Sequence, residues 1–325
     1  MIKFIAEIGF NHEGELKLAI EMIKAAAQAG ANAIKFQTYK AKDLALPSAP
    51  HYQAIQSGEM SLEQHLELAK VAHDCGVEFL STPFSPWAID ILEKVGVPAY
   101  KISSMDCTNK YLLGFIAETR KPIYLSTGMA TLSEISEILY YLFEMRSGPV
   151  TLLHCLSLYP ANAEDLNLAV IPYLKELFGV PVGYSDHYPG TKACLAAAML
   201  GAEVIETHFT LDTTKKGADH YHSVDAELLR QLIADIELFR QMKGTKQVFH
   251  NRPDRRYATQ YRRGVFTAKS LKKGDTLRTE DLLLCRPTSR LKPEDLKWLE
   301  GRMMKQDIDA FHAIDRDALE NNASL

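Results

Sequence analysis

Short apolar runs alternate with amphipathic stretches from the start of the chain. Runs of strand length lie at 3–8, 32–37, 77–81, 99–102, 123–126, 151–154, 182–185 and 204–206. After each comes a stretch with apolar residues at helical spacing: 16–29, 62–74, 86–95, 110–119, 132–144, 166–177, 192–200 and 226–241. Gly30 ends the first of these as a helix C-cap. Eight strand–helix units over residues 1–243 predict an α/β fold, a (β/α)8 TIM barrel, which averages about 250 residues. A doubly wound open sheet is the weaker alternative, because no Gly-rich dinucleotide turn follows a strand. The connection 38–60 is rich in Pro, Ser and Ala and is too long for filler; it predicts a lid or a partner-facing arm. Residues 244–260 are polar and basic and read as a linker. Residues 261–325 read as short strands and turns, a β-rich module too small to carry a large core alone.

Composition narrows the classes. A 325-residue chain that is 46% apolar suits one large and one small domain. A net charge of -4 argues against a nucleic-acid scaffold. No apolar run reaches membrane-spanning length. The N-terminus enters a strand with no signal-peptide architecture, and the five scattered cysteines read as reduced thiols of a cytoplasmic protein.

Barrel chemistry gathers where strands exit toward the C-terminal face. Strands 7 and 8 end in His187 and His208, and neighbouring parallel strands lie about 4.8 Å apart. Two imidazoles at adjacent tips can meet on one small ion or one carbonyl oxygen; two packed core histidines are the plainer alternative. Strands 2 to 5 supply Lys35, Gln37, Thr82, Lys101, Ser104 and Ser126, with no carboxylate before Asp106. That half suits a phosphate or a carboxylate, although ion pairs inside the barrel mouth would also account for the lysines. Strand 1 closes the ring beside strand 8 and adds Glu7 to the two histidines, a set for one divalent cation with open positions. His154 and His12 read as packing and loop-structuring residues, His220 and His222 as solvated residues flanking Asp219, with a supporting contact behind the site as the alternative, and Cys107 and Cys155 as spectators.

Eight segments in order carry a resemblance: Ala6-Glu7-Ile8-Gly9-Phe10-Asn11-His12-Glu13-Gly14, Lys35-Phe36-Gln37-Thr38, Leu80-Ser81-Thr82-Pro83-Phe84, Tyr100-Lys101-Ile102-Ser103-Ser104, Leu125-Ser126-Thr127-Gly128-Met129, Leu153-His154-Cys155, Ser185-Asp186-His187 and His208-Phe209-Thr210. Together they resemble the motif series of the sialic acid synthase (N-acetylneuraminate synthase) family. Leu271-Lys-Lys-Gly-Asp, Thr279-Glu-Asp-Leu and Cys285-Arg286-Pro287 resemble that family's antifreeze-like SAF domain. The resemblance implies condensation of phosphoenolpyruvate with an N-acylated amino sugar to a nine-carbon 2-keto acid, with phosphate released. It implies a divalent cation, Mn2+ with Mg2+ or Co2+ as alternatives, on His187 and His208. Lys35, Lys101, Thr82, Ser104 and Ser126 would hold phosphoenolpyruvate, with Lys101 also counted among the catalytic groups. Glu7, Gln37, Tyr159 and Asp219 would orient the sugar, Glu7 through metal-bound water. Asp106 would handle the water that attacks C2. Arg286 would reach the sugar across a domain-swapped homodimer.

Three positions depart from the family pattern. Asp106 replaces a glutamate, Ser157 replaces an asparagine, and Thr288-Ser-Arg-Leu follows Arg286-Pro287 where Gly and Thr-Gly-Ile are usual. All three fall near the sugar pocket, so the acceptor can differ, with a legionaminic- or pseudaminic-type sugar or another aldose in its place. Two other functions compete with the synthase: a Schiff-base aldolase built on Lys35 or Lys101, and a sugar-binding protein without turnover.

Overall fold

The computed structural model describes residues 2–217, 219–244 and 252–320. The chain divides into two compact units, Met1–Lys243 and Gly244–Leu325.

In the first unit, eight strands close into an all-parallel barrel in chain order. They are β1 (Lys3–Glu7), β2 (Ala33–Thr38), β3 (Glu78–Pro83), β4 (Tyr100–Ile102), β5 (Ile123–Ser126), β6 (Val150–Cys155), β7 (Val182–Asp186) and β8 (Val204–His208). The barrel closes by pairing β1 with β8, with Glu7 opposite His208. Helices α1 (Leu16–Ala29), α2 (Ala41–Leu44), α3 (Tyr52–Ser57), α4 (Leu62–Asp74), α5 (Pro86–Val95), α6 (Lys110–Glu118), α7 (Leu132–Glu144), α8 (Val170–Phe178), α9 (Lys192–Met199) and α10 (Ala226–Lys243) lie between and after the strands.

Side chains alternate across a strand, so each strand has an outward and an inward set. Outward residues such as Ile34, Phe36, Ile102, Leu125 and Ile205 join the large core shared with the helices. The inward set changes character along its length. At the N-terminal end, Ile5, Ala33, Leu80, Ala99, Leu153 and Val204 form a separate apolar plug. Two residues further along each of those strands come Glu7, Lys35, Thr82, Lys101, Cys155 and Glu206. The strands thus fill the barrel below and place polar groups on a floor above. Gly183 belongs to the plug layer, where a β-carbon would lie 2.5 Å from the Val204 carbonyl oxygen and 2.7 Å from the Leu153 side chain.

Several boundaries differ from the sequence reading. The helix expected at 166–177 begins at Val170, because Asn167 adopts a left-handed conformation (φ 43°) after the 3-10 turn Ala163–Asp165. Strand β8 continues through His208, two residues beyond the apolar run. The connection 38–60 contains α2 and α3, and Tyr39 packs its ring between Phe10 (5.7 Å) and Phe84 (6.2 Å) while its hydroxyl donates to the Ile55 carbonyl (3.0 Å). It is therefore an ordered flap braced beside two aromatics of the barrel mouth. Among the described residues, no helix is long and apolar enough to cross a membrane.

The second unit contains a two-stranded antiparallel sheet, β9 (Gly264–Thr267) and β10 (Leu282–Cys285). Val265, Leu277, Leu291, Leu299, Met304 and Ile314 form its buried core. The stretch read as a linker carries a 3-10 turn, Pro253–Tyr257, and a helical turn, Ala258–Tyr261.

Candidate active site

A cavity of about 410 Å3 opens at the C-terminal ends of the strands. Of the residues singled out from sequence, Glu7, Lys35, Gln37, Thr82, Lys101, Ser104, Ser126, Tyr159, His187, His208 and Asp219 all line it. Arg286 belongs to the second unit, where its guanidinium lies 5.2 Å from the centre of the Tyr261 ring. One residue of the first unit, Asp106, is not in the lining. Asp106 is buried in a 3-10 turn and accepts hydrogen bonds from Asn109 Nδ2 (2.9 Å) and Ser103 Oγ (3.4 Å), while its neighbour Met105 faces the cavity.

The floor holds two buried ion pairs. Lys35 Nζ sits 2.6 Å from Glu7 Oε2 and donates to Thr82 Oγ1 at 3.2 Å. Lys101 Nζ donates to Glu206 Oε1 at 2.7 Å, and Ser185 Oγ donates to the same oxygen at 2.8 Å. The sequence pattern separates a cationic half, with no carboxylate before Asp106, from a metal half containing Glu7. At side-chain level that division fails for Glu7, which pairs with Lys35, its register partner on the neighbouring strand β2. Glu206 was missed altogether. Strand parity exposes it: it lies two residues before His208 and shares the inward face.

These pairs set the charge states. Burial would raise the Glu206 carboxyl, but the Lys101 and Lys35 ammonium groups outweigh burial and hold it down to about 2. Burial would strip the Lys35 proton, but Glu206 and Glu7 outweigh it and raise the group above its ordinary value. Glu7 is raised, chiefly by burial, with Lys35 only partly offsetting it. Two ammonium donors therefore face a cavity whose wall also offers hydroxyls. Ser126 Oγ is buried with no hydrogen-bond partner, and Ser104 Oγ accepts from the Gly128 N–H at 3.0 Å. Gly128 is confined: a β-carbon there would lie 2.4 Å from Ser157 Oγ and 2.7 Å from Ser104 Oγ.

The histidines converge as their strand positions require. The His187 and His208 ring centres are 5.4 Å apart, and Tyr159 covers His187 at 4.1 Å. His187 Nδ1 is held by the Leu156 carbonyl at 2.6 Å, which leaves Nε2 as its free nitrogen. His208 Nδ1 lies 3.5 Å from Asp219 Oδ2. Burial pushes His187 down to about 4, with Lys101 and Lys35 adding to the effect, and drives His208 well below its ordinary value, with His187 and His222 adding to it. Both imidazoles are neutral near pH 7, the form that ligates metal. Two neutral rings, one anchored at Nδ1 and one facing a carboxylate, fit a divalent cation.

His220 and His222, read as solvated, are buried instead. The 3-10 turn His220–His222 folds back on the barrel, and His220 Nδ1 pairs with Thr210 Oγ1 at 2.8 Å. His154 packs as expected, its Nε2 at 2.8 Å from the Leu166 carbonyl.

Residues 22–248 match the NeuB family. N,N'-diacetyllegionaminic acid synthase of Legionella pneumophila is 35% identical over 324 residues, covering 94% of this chain and 91% of that protein. Pseudaminic acid synthase of Campylobacter jejuni is 32% identical over 324 residues, covering 94% and 92%. The crystal structure of N-acetylneuraminic acid (sialic acid) synthetase from Leptospira borgpetersenii, in complex with citrate, superposes with a TM-score of 0.75 at 35% identity, covering 78% of this chain and 89% of that one. A closed eight-stranded barrel, a polar floor at its C-terminal face and a family match across most of that barrel agree: this chain belongs to the NeuB family.

Proposed function

We propose that the protein is a synthase that joins phosphoenolpyruvate to an N-acylated amino sugar and releases phosphate. The observation that carries this reading is one buried cavity that offers two ammonium groups and two neutral imidazoles together. Lys35, Lys101, Thr82, Ser104 and Ser126 take the phosphate and carboxylate of phosphoenolpyruvate. Charge-assisted bonds to those anionic groups are stronger than neutral ones, and the hydroxyls fill the remaining acceptor sites. His187 and His208 hold the divalent cation, Mn2+ or a similar ion. When bound, that cation supplies Lewis acidity to the aldehyde of the open-chain sugar.

Carbon 3 of phosphoenolpyruvate forms the new bond to the aldehyde carbon, whose oxygen takes a proton. Water adds at C2, and the phosphate leaves to give the 2-keto acid. Gln37, Tyr159 and Asp219 line the sugar side and orient its hydroxyls. Gln37 Nε2 donates to Glu7 Oε1 at 3.1 Å, which fixes Glu7 beside the reacting groups. Glu7 is a cavity carboxyl with a raised proton affinity, so it is the group placed to hold or pass a proton. The part foreseen for Asp106 is assigned to Glu7, because the Asp106 carboxylate is engaged by Asn109 and Ser103 outside the lining. Burial of Lys35 is outweighed by Glu206 and Glu7, which raise it above its ordinary value; this also disfavours a Schiff-base aldolase built on that residue, which needs a neutral amine.

Relatives named for diacetyllegionaminic and pseudaminic acids widen the acceptor class to diacetamido sugars beside N-acetylmannosamine. The short Ser157 side chain on the cavity wall leaves room for a second acylamino group. The test is phosphate release from phosphoenolpyruvate with Mn2+ and a panel of such sugars. Release that depends on one of them, with formation of a 2-keto acid, supports the synthase. Ligand binding without release for every sugar would favour a binding protein instead.

A further inference from the structure

His222 takes no part in the scheme above, yet it is only 2% exposed and neither ring nitrogen has a hydrogen-bond partner. Leaving such groups buried and unpaired is unfavourable, so an unmet polar demand lies beside the cavity. The ring packs 4.7 Å from His208 and 5.6 Å from Tyr159. His208 Nδ1 is also buried without a hydrogen bond. Between them stands Asp219: one carboxylate oxygen lies 3.5 Å from His208 Nδ1 and the other 4.0 Å from His222 Nε2. One ligand atom from each of the three falls within 4.8 Å of the others. Around a four-coordinate ion bound at about 2.0–2.2 Å, donors stand roughly 3.3–3.6 Å apart, so small side-chain rotations close the set.

The backbone beneath is fixed independently of any ion. Asn11 Oδ1 accepts from the Asp219 N–H at 2.9 Å, Asn11 Nδ2 donates to Ser223 Oγ at 2.9 Å, and Ser223 Oγ donates to the Asp219 carbonyl at 2.6 Å.

We propose that His208, Asp219 and His222 form a second seat for a borderline divalent ion of the zinc or cobalt class, sharing His208 with the His187 seat so that the two exclude each other. Two imidazole nitrogens and one carboxylate oxygen suit such ions, and a three-ligand set leaves a position for water. An ion in this seat withdraws His208 from the His187 side and Asp219 from the sugar side, so zinc inhibits. The inhibition rests on the synthase reading, but the binding does not.

The test uses the full-length protein stripped of metal with a chelator. Zinc affinity is measured by competition with a chromophoric chelator in the wild type, His187→Ala, His222→Asn and the double variant, each checked by thermal melting. His187→Ala is expected to keep one zinc equivalent within about threefold of wild type, and adding His222→Asn to weaken it at least about 30-fold. His222→Asn alone keeps Mn2+-supported phosphate release and loses zinc inhibition. Zinc lost as fully from His187→Ala as from the double variant would overturn the proposal, as would wild-type zinc affinity in the His222→Asn variant. If His222→Asn melts early, imidazole 15N spectra of the wild type decide. Zinc then shifts His208 and His222 and leaves His187 in place; the pair His187 and His208 shifting without His222 refutes the second seat.

Discussion

Replacing Glu206 by Gln removes one charge from the cavity floor and almost no volume. In the wild type, Glu206 Oε1 accepts from both Lys101 Nζ and Ser185 Oγ, and the Lys101 and Glu206 side chains are 6% and 4% exposed. The substitution leaves an ammonium buried without its counter-charge. Breaking a buried pair in this way costs about 3–5 kcal/mol. In a unit of this size each kcal/mol lowers Tm by about 2–4 °C, so the expected fall is roughly 6–20 °C. Thermal denaturation followed by circular dichroism, in metal-free buffer at pH 7.5, reads it directly. A second arm adds phosphoenolpyruvate. Any ligand at 100 times its Kd stabilises the folded protein by about 2.7 kcal/mol. In the Glu206→Gln variant the ligand also gives Lys101 the negative partner it lacks, so its Kd should fall and the Tm gain at one fixed phosphoenolpyruvate concentration should exceed that of the wild type. A variant that melts within about 2 °C of wild type would show that the pair contributes little of the buried-pair energy. A smaller ligand-induced gain than in the wild type would show that Lys101 does not face the bound anion.

Further expectations concern other parts of the site. Glu7→Gln should lower kcat by at least about 100-fold, the range of a lost general acid–base group, whereas Asp106→Asn should lower it by less than tenfold; steady-state phosphate release separates them, and the reverse order would return the role to Asp106. Gly128→Ala should raise KM for phosphoenolpyruvate and preserve the fold, because its β-carbon displaces Ser104 and Ser157; unchanged KM would mean that Ser104 does not touch the ligand. Burial holds His12 down to about 4 and also lowers His65 and His154. With an unfolded value near 6.5, the unfolded chain binds protons that the folded protein refuses as pH falls from about 6.5 to 4, so stability drops across that window, by up to about 3 kcal/mol for His12 alone. Urea denaturation of metal-free protein at pH 7, 5.5 and 4.5 should show it, and flat stability over that range would refute burial as the cause.

The barrel was legible because period-2 runs and helical spacing alternate eight times, and because strand exits mark its chemical face. Eleven of the residues singled out in this way line one cavity. Glu206 was hidden because it interrupts an apolar run one pleat below His208; counting inward positions from Val204 recovers it. Glu7 and Lys35 face each other in register on the adjacent strands β1 and β2, whereas the Lys101–Glu206 pair joins β4 to β8 across the floor and could not be read from exits alone. His222 escaped because a polar stretch, Asp219 to Ser223, looks solvated in sequence, whereas hydrogen bonds from Asn11 fold it onto β1 and β8. Asp106 sat at a correct strand exit, but its local 3-10 turn gave the carboxylate partners within three residues.

The central claim is that one cavity holds an anion on its lysines and a cation on its histidines as separable functions. Titration calorimetry of phosphoenolpyruvate and of Mn2+, each alone, against Lys101→Gln and His208→Ala tests it most directly. Lys101→Gln should weaken phosphoenolpyruvate by about 100-fold, near 2.7 kcal/mol, while Mn2+ affinity stays within threefold; His208→Ala should do the opposite. Loss of both ligands in either variant, or of neither in both, would contradict the account.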